Sequence, residues 1–198
     1  MDWMDLTKEE QKALARAAVA ERRTLIERWR DMGEKVSPGR DERARIAAGF
    51  IPAGLCVVDV GCGSMMPLER HLPPGTRYVP VDVARRDDRT VVVDLNVAPL
   101  PDLGADYVVA LGLLEYLNDV PGFLRQIRCS AVLSYAPVDQ QKSRNRAESG
   151  WANAYTVDDI SRLCEAAGFE IADLRPCPGK QMIWNLRAMP GRPFPAAT

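Results

Sequence analysis

The chain has 198 residues, enough for one domain with its own core and no need of disulfides or metal. With 26 Lys and Arg against 27 Asp and Glu, its near-neutral charge argues against a general binder of nucleic acid or anionic membrane. The cysteines (Cys56, Cys62, Cys129, Cys164, Cys177) are odd in number and never spaced CxxC, which favours a reducing cytoplasm over a disulfide framework or zinc site, and no apolar run approaches the roughly 20 residues of a membrane span.

In chain order, Thr7 with Glu10 reads as a capping box, and Leu14, Ala18, Leu25, Trp29 and Met32 recur on one face, predicting a single amphipathic helix to about Gly33. After Ser37-Pro38-Gly39, Asp41 is expected to cap a shorter helix through Ile46 that ends near Gly49 or at Pro52. Residues 1–52 thus form a helical arm, whose basic stretch through Arg28-Trp29-Arg30 reads as a solvated face rather than a docking surface.

From Leu55 onward, short apolar runs at 55–60, 77–81, 90–93, 106–111 and 131–135 suit strands buried on both faces, as in a parallel sheet. Crossover helices are predicted after Asp119, with Val120, Phe123, Leu124 and Ile127 inward, and after Thr156, with Val157, Ile160, Leu163 and Ala167 inward and a stop at Gly168. Residues 83–89 are too few for a crossover helix, so a loop is expected there, with the Arg85-Arg86-Asp87-Asp88-Arg89 run solvated. Strands at 169–174 and 181–187 flank a Pro176-Cys177-Pro178-Gly179 turn and must be antiparallel, because a parallel return needs a long crossover. A core at 55–188 is followed by a Pro- and Gly-bearing tail at 189–198 with little to order it.

The chemistry centres on Val57-Val58-Asp59-Val60-Gly61-Cys62-Gly63-Ser64, a buried strand running into a glycine turn, with a short helix expected at 66–72 to add a positive N-terminal end. An adenine-containing ligand is the natural occupant. Met66 stands where a dinucleotide fingerprint needs its third glycine, and Asp59 would repel a pyrophosphate yet can accept hydrogen bonds from a cationic amino-acid moiety. Asp82 ends the next strand roughly 20 residues further on, where a carboxylate accepts ribose hydroxyls; a plain strand-end turn residue is the alternative.

In that order, residues 57–64, Val81-Asp82, Val92-Val93-Asp94-Leu95 and Ala110-Leu111-Gly112-Leu113-Leu114-Glu115-Tyr116-Leu117 resemble the successive cofactor motifs of class I S-adenosylmethionine-dependent methyltransferases, over roughly residues 55–188. The resemblance implies an α/β, Rossmann-like three-layer sandwich: a mostly parallel seven-stranded sheet with one antiparallel strand, at 181–187, preceded by N-terminal helices. It also implies S-adenosylmethionine as cofactor and no metal. Asp59, Gly61, Cys62 and Gly63 would meet the methionine part, Asp82 the ribose, and Asp94 with Leu95 the adenine, while Leu111 and Gly112 would lie beneath the methionine end. Val83 and Leu95 can sandwich the ring; Asp94 is alternatively a turn residue with Asn96.

Methyl transfer by in-line displacement needs alignment more than catalytic side chains, and Glu115 and Tyr116 are the positional candidates for handling the acceptor's proton. The alternative has Glu115 solvated and Tyr116 packed on the following helix. His71 lies outside that motif and reads as a surface or half-buried residue. Residues 139–155, with Lys142, Arg144, Arg146, Trp151, Asn153 and Tyr155, read either as a lid whose basic residues meet an acidic substrate or as a surface loop anchored by its aromatics. The expected partner is a small-molecule or glycan-linked acceptor methylated at oxygen or nitrogen, with no nucleic-acid or membrane partner. A homodimer stays open, as does a cofactor-binding protein without turnover.

Overall fold

The computed structural model describes residues 2–31, 37–141 and 145–191. Helices α1 (Lys8–Ala20), α2 (Ile26–Arg30) and α3 (Pro38–Ala48) precede strands β1 (Cys56–Val60), β2 (Arg77–Asp82), β3 (Val91–Val92), β4 (Tyr107–Leu111) and β5 (Ser130–Tyr135). Helix α4 (Val120–Gln126) links β4 to β5, α5 (Val157–Ala166) leads to β6 (Phe169–Cys177), and β7 (Gln181–Ala188) closes the chain's last hairpin. The strands form one seven-stranded sheet ordered β3-β2-β1-β4-β5-β7-β6. β7 runs opposite in direction to the other six strands, antiparallel to both β5 and β6.

The chain steps outward from β1 to β2 and β3 and then returns to β4 on the other side of β1. That reversal opens a crevice beyond the carboxyl ends of β1 and β4, where open α/β sheets take ligands. Two-residue alternation sorts the strands' side chains. Val58, Val60, Ala110, Leu133, Tyr135, Trp184 and Leu186 pack in the core that includes α4 and α5, whereas Val57, Val109, Val132 and Ile183 pack with Ala44, Ala47 and Ala48 of α3. The same alternation places Asp59, Leu111, Ser134 and Gln181 on the α3 side, in step with those four residues.

The structure corrects several sequence expectations. The long first helix is two helices. α1 ends in a Schellman closure, with Arg22 N–H on Val19 O (3.2 Å) and Arg23 N–H on Ala18 O (3.0 Å), and Arg22 takes the left-handed conformation (φ 54°). An arginine holds the position where glycine ordinarily stands, so the stop left no local sign. Ala15 and Ala18 face inward and Leu14 is exposed, while Met32 and Gly33 lie outside the described residues. α3 is capped by Ser37, whose Oγ accepts from Arg40 N–H, with Pro38 in the first turn. Asp41 instead accepts hydrogen bonds from Arg70 (3.0 Å) and shares one with the half-buried His71 (3.0 Å).

No α-helix follows the glycine turn. Met66 is left-handed (φ 41°), Pro67 disfavours helical backbone before it, and only a 3₁₀ turn at Glu69–His71 forms. The turn therefore gains no helix N-terminus. β6 runs on through Pro176 and Cys177 and reverses at 178–180, a proline being tolerated because β6 is the sheet's outer edge. The 83–89 connection has no helix, as its length required, but Arg86 within it is buried rather than solvated. Residues 192–198 of the tail lie outside the described residues.

Candidate functional site

The glycine turn hangs from β2. Gly61 and Cys62 N–H both donate to Val81 O (2.8 and 3.1 Å), and Gly61 and Gly63 adopt left-handed backbone (φ 77° and 71°) that an ordinary residue strains to reach. A Cβ on Gly61 would press on Leu113 at 3.3 Å, whereas one on Gly63 would meet nothing within 4 Å, so the turn has open space above it.

Asp82 locks the turn to the next loop. Its Oδ2 accepts from Gly63 N–H (2.9 Å), and its Oδ1 accepts from Ala84 N–H (3.0 Å) and Arg86 Nη2 (2.9 Å). Arg86 donates its other arm to Trp29 O (2.8 Å), tying α2 to the same carboxylate. Both partners of this ion pair are buried, so its strength rests on these added hydrogen bonds rather than on charge alone.

Asp59 is buried on the α3 side and accepts from Tyr78 Oη (2.7 Å). Burial pushes its carboxyl up to about 7, against the opposing effect of the Tyr78 hydrogen bond. Burial likewise raises the Cys62 thiol and the Tyr78 hydroxyl, so neither ionises near neutrality. Asp94 lines the cavity, and its Oδ1 shapes a turn by accepting from Asn96 N–H (3.0 Å) while also accepting from Thr24 Oγ1 (2.7 Å).

Glu115 sits in the 3₁₀ turn Leu114–Tyr116 and is 1% exposed, which rules out the solvated alternative. Its Oε1 accepts from Ala136 N–H (2.9 Å) and Gln181 Nε2 (3.3 Å), and its Oε2 has no partner. Burial raises its carboxyl, with the positive charge of Arg43 among the opposing influences. Arg43, from α3, stands against Gly112: a Cβ there would lie 3.1 Å from Nη1. It donates through Nη2 to Leu111 O (3.3 Å) and through Nη1 to Gln181 Oε1, leaving its buried Nε without a partner. Desolvation lowers its pKa from the ordinary arginine value. Tyr116 packs edge-on to Trp29 of α2, with ring centroids 4.7 Å apart.

All of the residues expected at the site, from Asp59 to Tyr116, line one cavity of about 370 Å³. The cavity also takes in Thr24, Trp29, Arg40, Arg43, Gly179 and Gln181, none of which the sequence singled out as site residues. They come from the arm and the terminal hairpin, far from the glycine turn in sequence, and carry no local motif.

Among the described residues of 139–155, only Trp151 reaches this cavity. Arg146 does not wait for an acidic substrate: it donates to Asn153 O (2.6 Å), Ala136 O (2.8 Å) and Tyr135 Oη (2.7 Å), and its guanidinium lies 4.5 Å from the Trp151 ring centroid. The Ala136 carbonyl leaving β5, the Asn153 carbonyl and the Tyr135 hydroxyl match its planar fork and hold it inward. Tyr155 packs beside Tyr135 in the core, and Asn153 donates to Leu114 O (2.7 Å) and Leu117 O (3.0 Å). The loop is anchored by its aromatics and amide, while Lys142 and Arg144 lie outside the described residues.

Among the described residues, no cluster of His, Cys, Asp and Glu could hold a metal ion, and no helix is long and apolar enough to cross a membrane. A family profile described as "Methyltransferase domain" matches residues 25–174. A ubiquinone biosynthesis O-methyltransferase of Methylobacterium sp. (strain 4-46) is 26% identical over 155 residues, covering 61% of this chain and 62% of that relative. The chain thus spans about three fifths of the length of the curated relative it matches. Among solved structures, the 1,6-didemethyltoxoflavin-N1-methyltransferase of Burkholderia thailandensis superposes with a TM-score of 0.65 at 17% identity, over 93% of this chain and 91% of that one. A SAM-dependent methyltransferase from Aquifex aeolicus gives a TM-score of 0.56 at 14% identity, over 78% and 100%. At these identities the structural likeness establishes the fold.

Proposed function

Because the chain belongs to the class I S-adenosylmethionine-dependent methyltransferases, whose cofactor is S-adenosylmethionine, we propose that it transfers a methyl group by in-line displacement to an oxygen or nitrogen of a small-molecule acceptor. The observation that carries this reading is the single cavity joining the acids at the ends of β1 and β2 to the buried Glu115. The enzyme names of the relatives, an O-methyltransferase and an N-methyltransferase, support an acceptor of either kind.

The residues present fit the cofactor. Open space above Gly63 admits a ligand against the backbone, and Asp59 and Arg43 offer opposite charges to the ammonium and carboxylate of an amino acid. The partnerless Nε of Arg43 is a donor in want of an anion. Asp82 would hold the ribose, and Asp94 with Val83 and Leu95 the adenine. When bound, S-adenosylmethionine supplies an activated methyl on a sulfonium.

What remains for the protein is to align the acceptor, exclude water and receive a proton. Trp29, Tyr116 and Trp151 offer flat apolar surface for alignment, and Glu115 offers a buried carboxyl whose raised proton affinity suits taking the acceptor's O–H or N–H proton. Calorimetric titration with S-adenosylmethionine, S-adenosylhomocysteine and NAD tests the reading. Binding of the first two without the third is expected, and failure to bind either methionine derivative would overturn it. Incubation with methyl-labelled cofactor and a panel of phenols and heteroaromatic amines then reads out the acceptor.

A further inference from the structure

Gln181, the first residue of β7, hydrogen-bonds both Arg43 and Glu115. It projects to the α3 side in step with Ile183, where Ser134 of β5 also projects in step with Val132. Its amide orientation follows from what its neighbours can do. Arg43 is only a donor, and Ser134 Oγ, which already accepts from Gly112 N–H (2.9 Å), has its proton to give at 3.2 Å. Arg43 therefore requires the Gln181 oxygen, to which Ser134 can also donate, and this turns the Gln181 Nε2–H₂ toward Glu115 Oε1 (3.3 Å). Oε1 then faces two donors, this amide and Ala136 N–H (2.9 Å). A proton on Oε1 would have to displace one of them, so the protonatable atom is Oε2, which has no partner.

We propose that Gln181 is a positioning residue that commits Glu115 Oε1 to accepting and reserves Oε2 as the atom that takes the acceptor's proton. This rests on the methyltransferase reading for the identity of the proton's source. It also makes the arm part of the chemistry, since Arg43 fixes the amide that fixes the acid. In the balance of the step, the acceptor's O–H or N–H bond breaks and an O–H bond forms at Oε2, leaving Glu115 neutral.

Carbon-13 NMR of the Glu carboxyls, with Glu115 identified by its loss in Glu115→Gln, follows this acid through a pH titration. The groups facing Glu115 are Arg43 of α3, Arg146, Tyr135 of β5 and Cys177 of β6, and all are kept in every sample. Gln181→Met, which preserves volume and removes the donor, is expected to raise the Glu115 midpoint by about one pH unit, because a lost hydrogen bond to the charged form favours the neutral one. In the unaltered protein, the Gln181 side-chain amide nitrogen is expected to titrate with the Glu115 midpoint and to lose that dependence in Glu115→Gln. This second measurement needs no Gln181 variant to fold. A Gln181 amide indifferent to pH across the Glu115 midpoint, or an unmoved midpoint in folded Gln181→Met, would overturn the proposal. Titrating the same samples with S-adenosylmethionine keeps the two readings apart: absent binding sinks the methyltransferase reading, while the NMR result alone decides Gln181.

Discussion

The floor of the cavity and its opposite wall are held by different means. The floor is the carboxyl ends of β1, β2 and β4, where the turn's amides hang on Val81 O and Asp82 bridges Gly63, Ala84 and Arg86 within a buried setting. The wall is the arm and the β6–β7 hairpin, which reach the site through single side chains: Thr24 on Asp94, Arg43 on Leu111 O, Gln181 on Glu115. Backbone pairing fixes the floor's own amides and carbonyls, whereas the wall's contacts to the site run through side chains in partly buried hydrogen bonds. The difference predicts that damage to the floor costs stability and ligand binding together, while damage to the wall separates them.

The largest effect is expected from Asp82→Ala, which strands the buried Arg86 and leaves two amides without their acceptor. A loss of about 3–5 kcal/mol in urea denaturation, with weakened binding of S-adenosylmethionine, is the expected outcome. A loss below about 1 kcal/mol would mean that Asp82 does not organise the floor. Next, Arg43→Met replaces a half-buried cation by an apolar side chain of similar reach. Cofactor affinity is expected to fall roughly 10–100-fold by calorimetry, the equivalent of one charged hydrogen bond, with a smaller change in the denaturation midpoint. Equal losses in both would place the wall under the same control as the floor.

Asp59 sharpens the comparison through pH. Its carboxyl titrates at about 7 in the folded chain, well above the unfolded value of about 3.9, so the neutral form is favoured by folding. Its contribution to stability is complete below about 3.9 and is lost as pH rises through about 7. Cofactor binding is expected to run the other way. An ammonium partner needs the carboxylate, so affinity should rise by up to tenfold per unit toward pH 7 and flatten above it, and Asp59→Asn should abolish that dependence in calorimetric titrations across this range. The smallest effect is expected at the start of the wall: Arg22→Gly relieves the left-handed backbone that ends α1 and should stabilise the chain by about 0.5–1 kcal/mol in thermal denaturation.

Much of this molecule is legible in one dimension. The apolar runs specify strands at β1, β2, β4 and β5 to within a residue or two, Asp119 and Thr156 announce α4 and α5, and the short 83–89 connection excludes a helix there. These features depend on local sterics, on two-residue alternation and on caps a few residues from what they cap. The same locality explains why Asp59, Gly61, Gly63, Asp82 and Asp94 could be expected to line one cavity: each stands at a strand end, and parallel pairing carries those ends into one crevice. Where local signals misled, a local exception was responsible, as with the left-handed Arg22 and Met66 in place of glycines.

Tertiary structure decided the rest, because the remaining contacts join residues whose separation in sequence carries no pattern. Arg86 has the composition of a solvated loop and becomes buried only because Asp82 and Trp29 O lie on either side of it. Arg146 looked like a substrate-facing cation and instead spends its donors on Ala136 O at the exit of β5 and on Asn153 O of its own loop. Arg43, Ser134 and Gln181 belong to a helix of the arm, a central strand and a terminal hairpin. Arg43 and Ser134 meet at the Gln181 amide, which in turn reaches Glu115, because of the face each side chain takes once the antiparallel β7 slots between β5 and β6. The sequence by itself determined the sheet and the row of acids at its strand ends; the packing of the arm and hairpin decided that Arg43 and Gln181 stand beside the buried Glu115 carboxyl, because those donors are brought together only by folding.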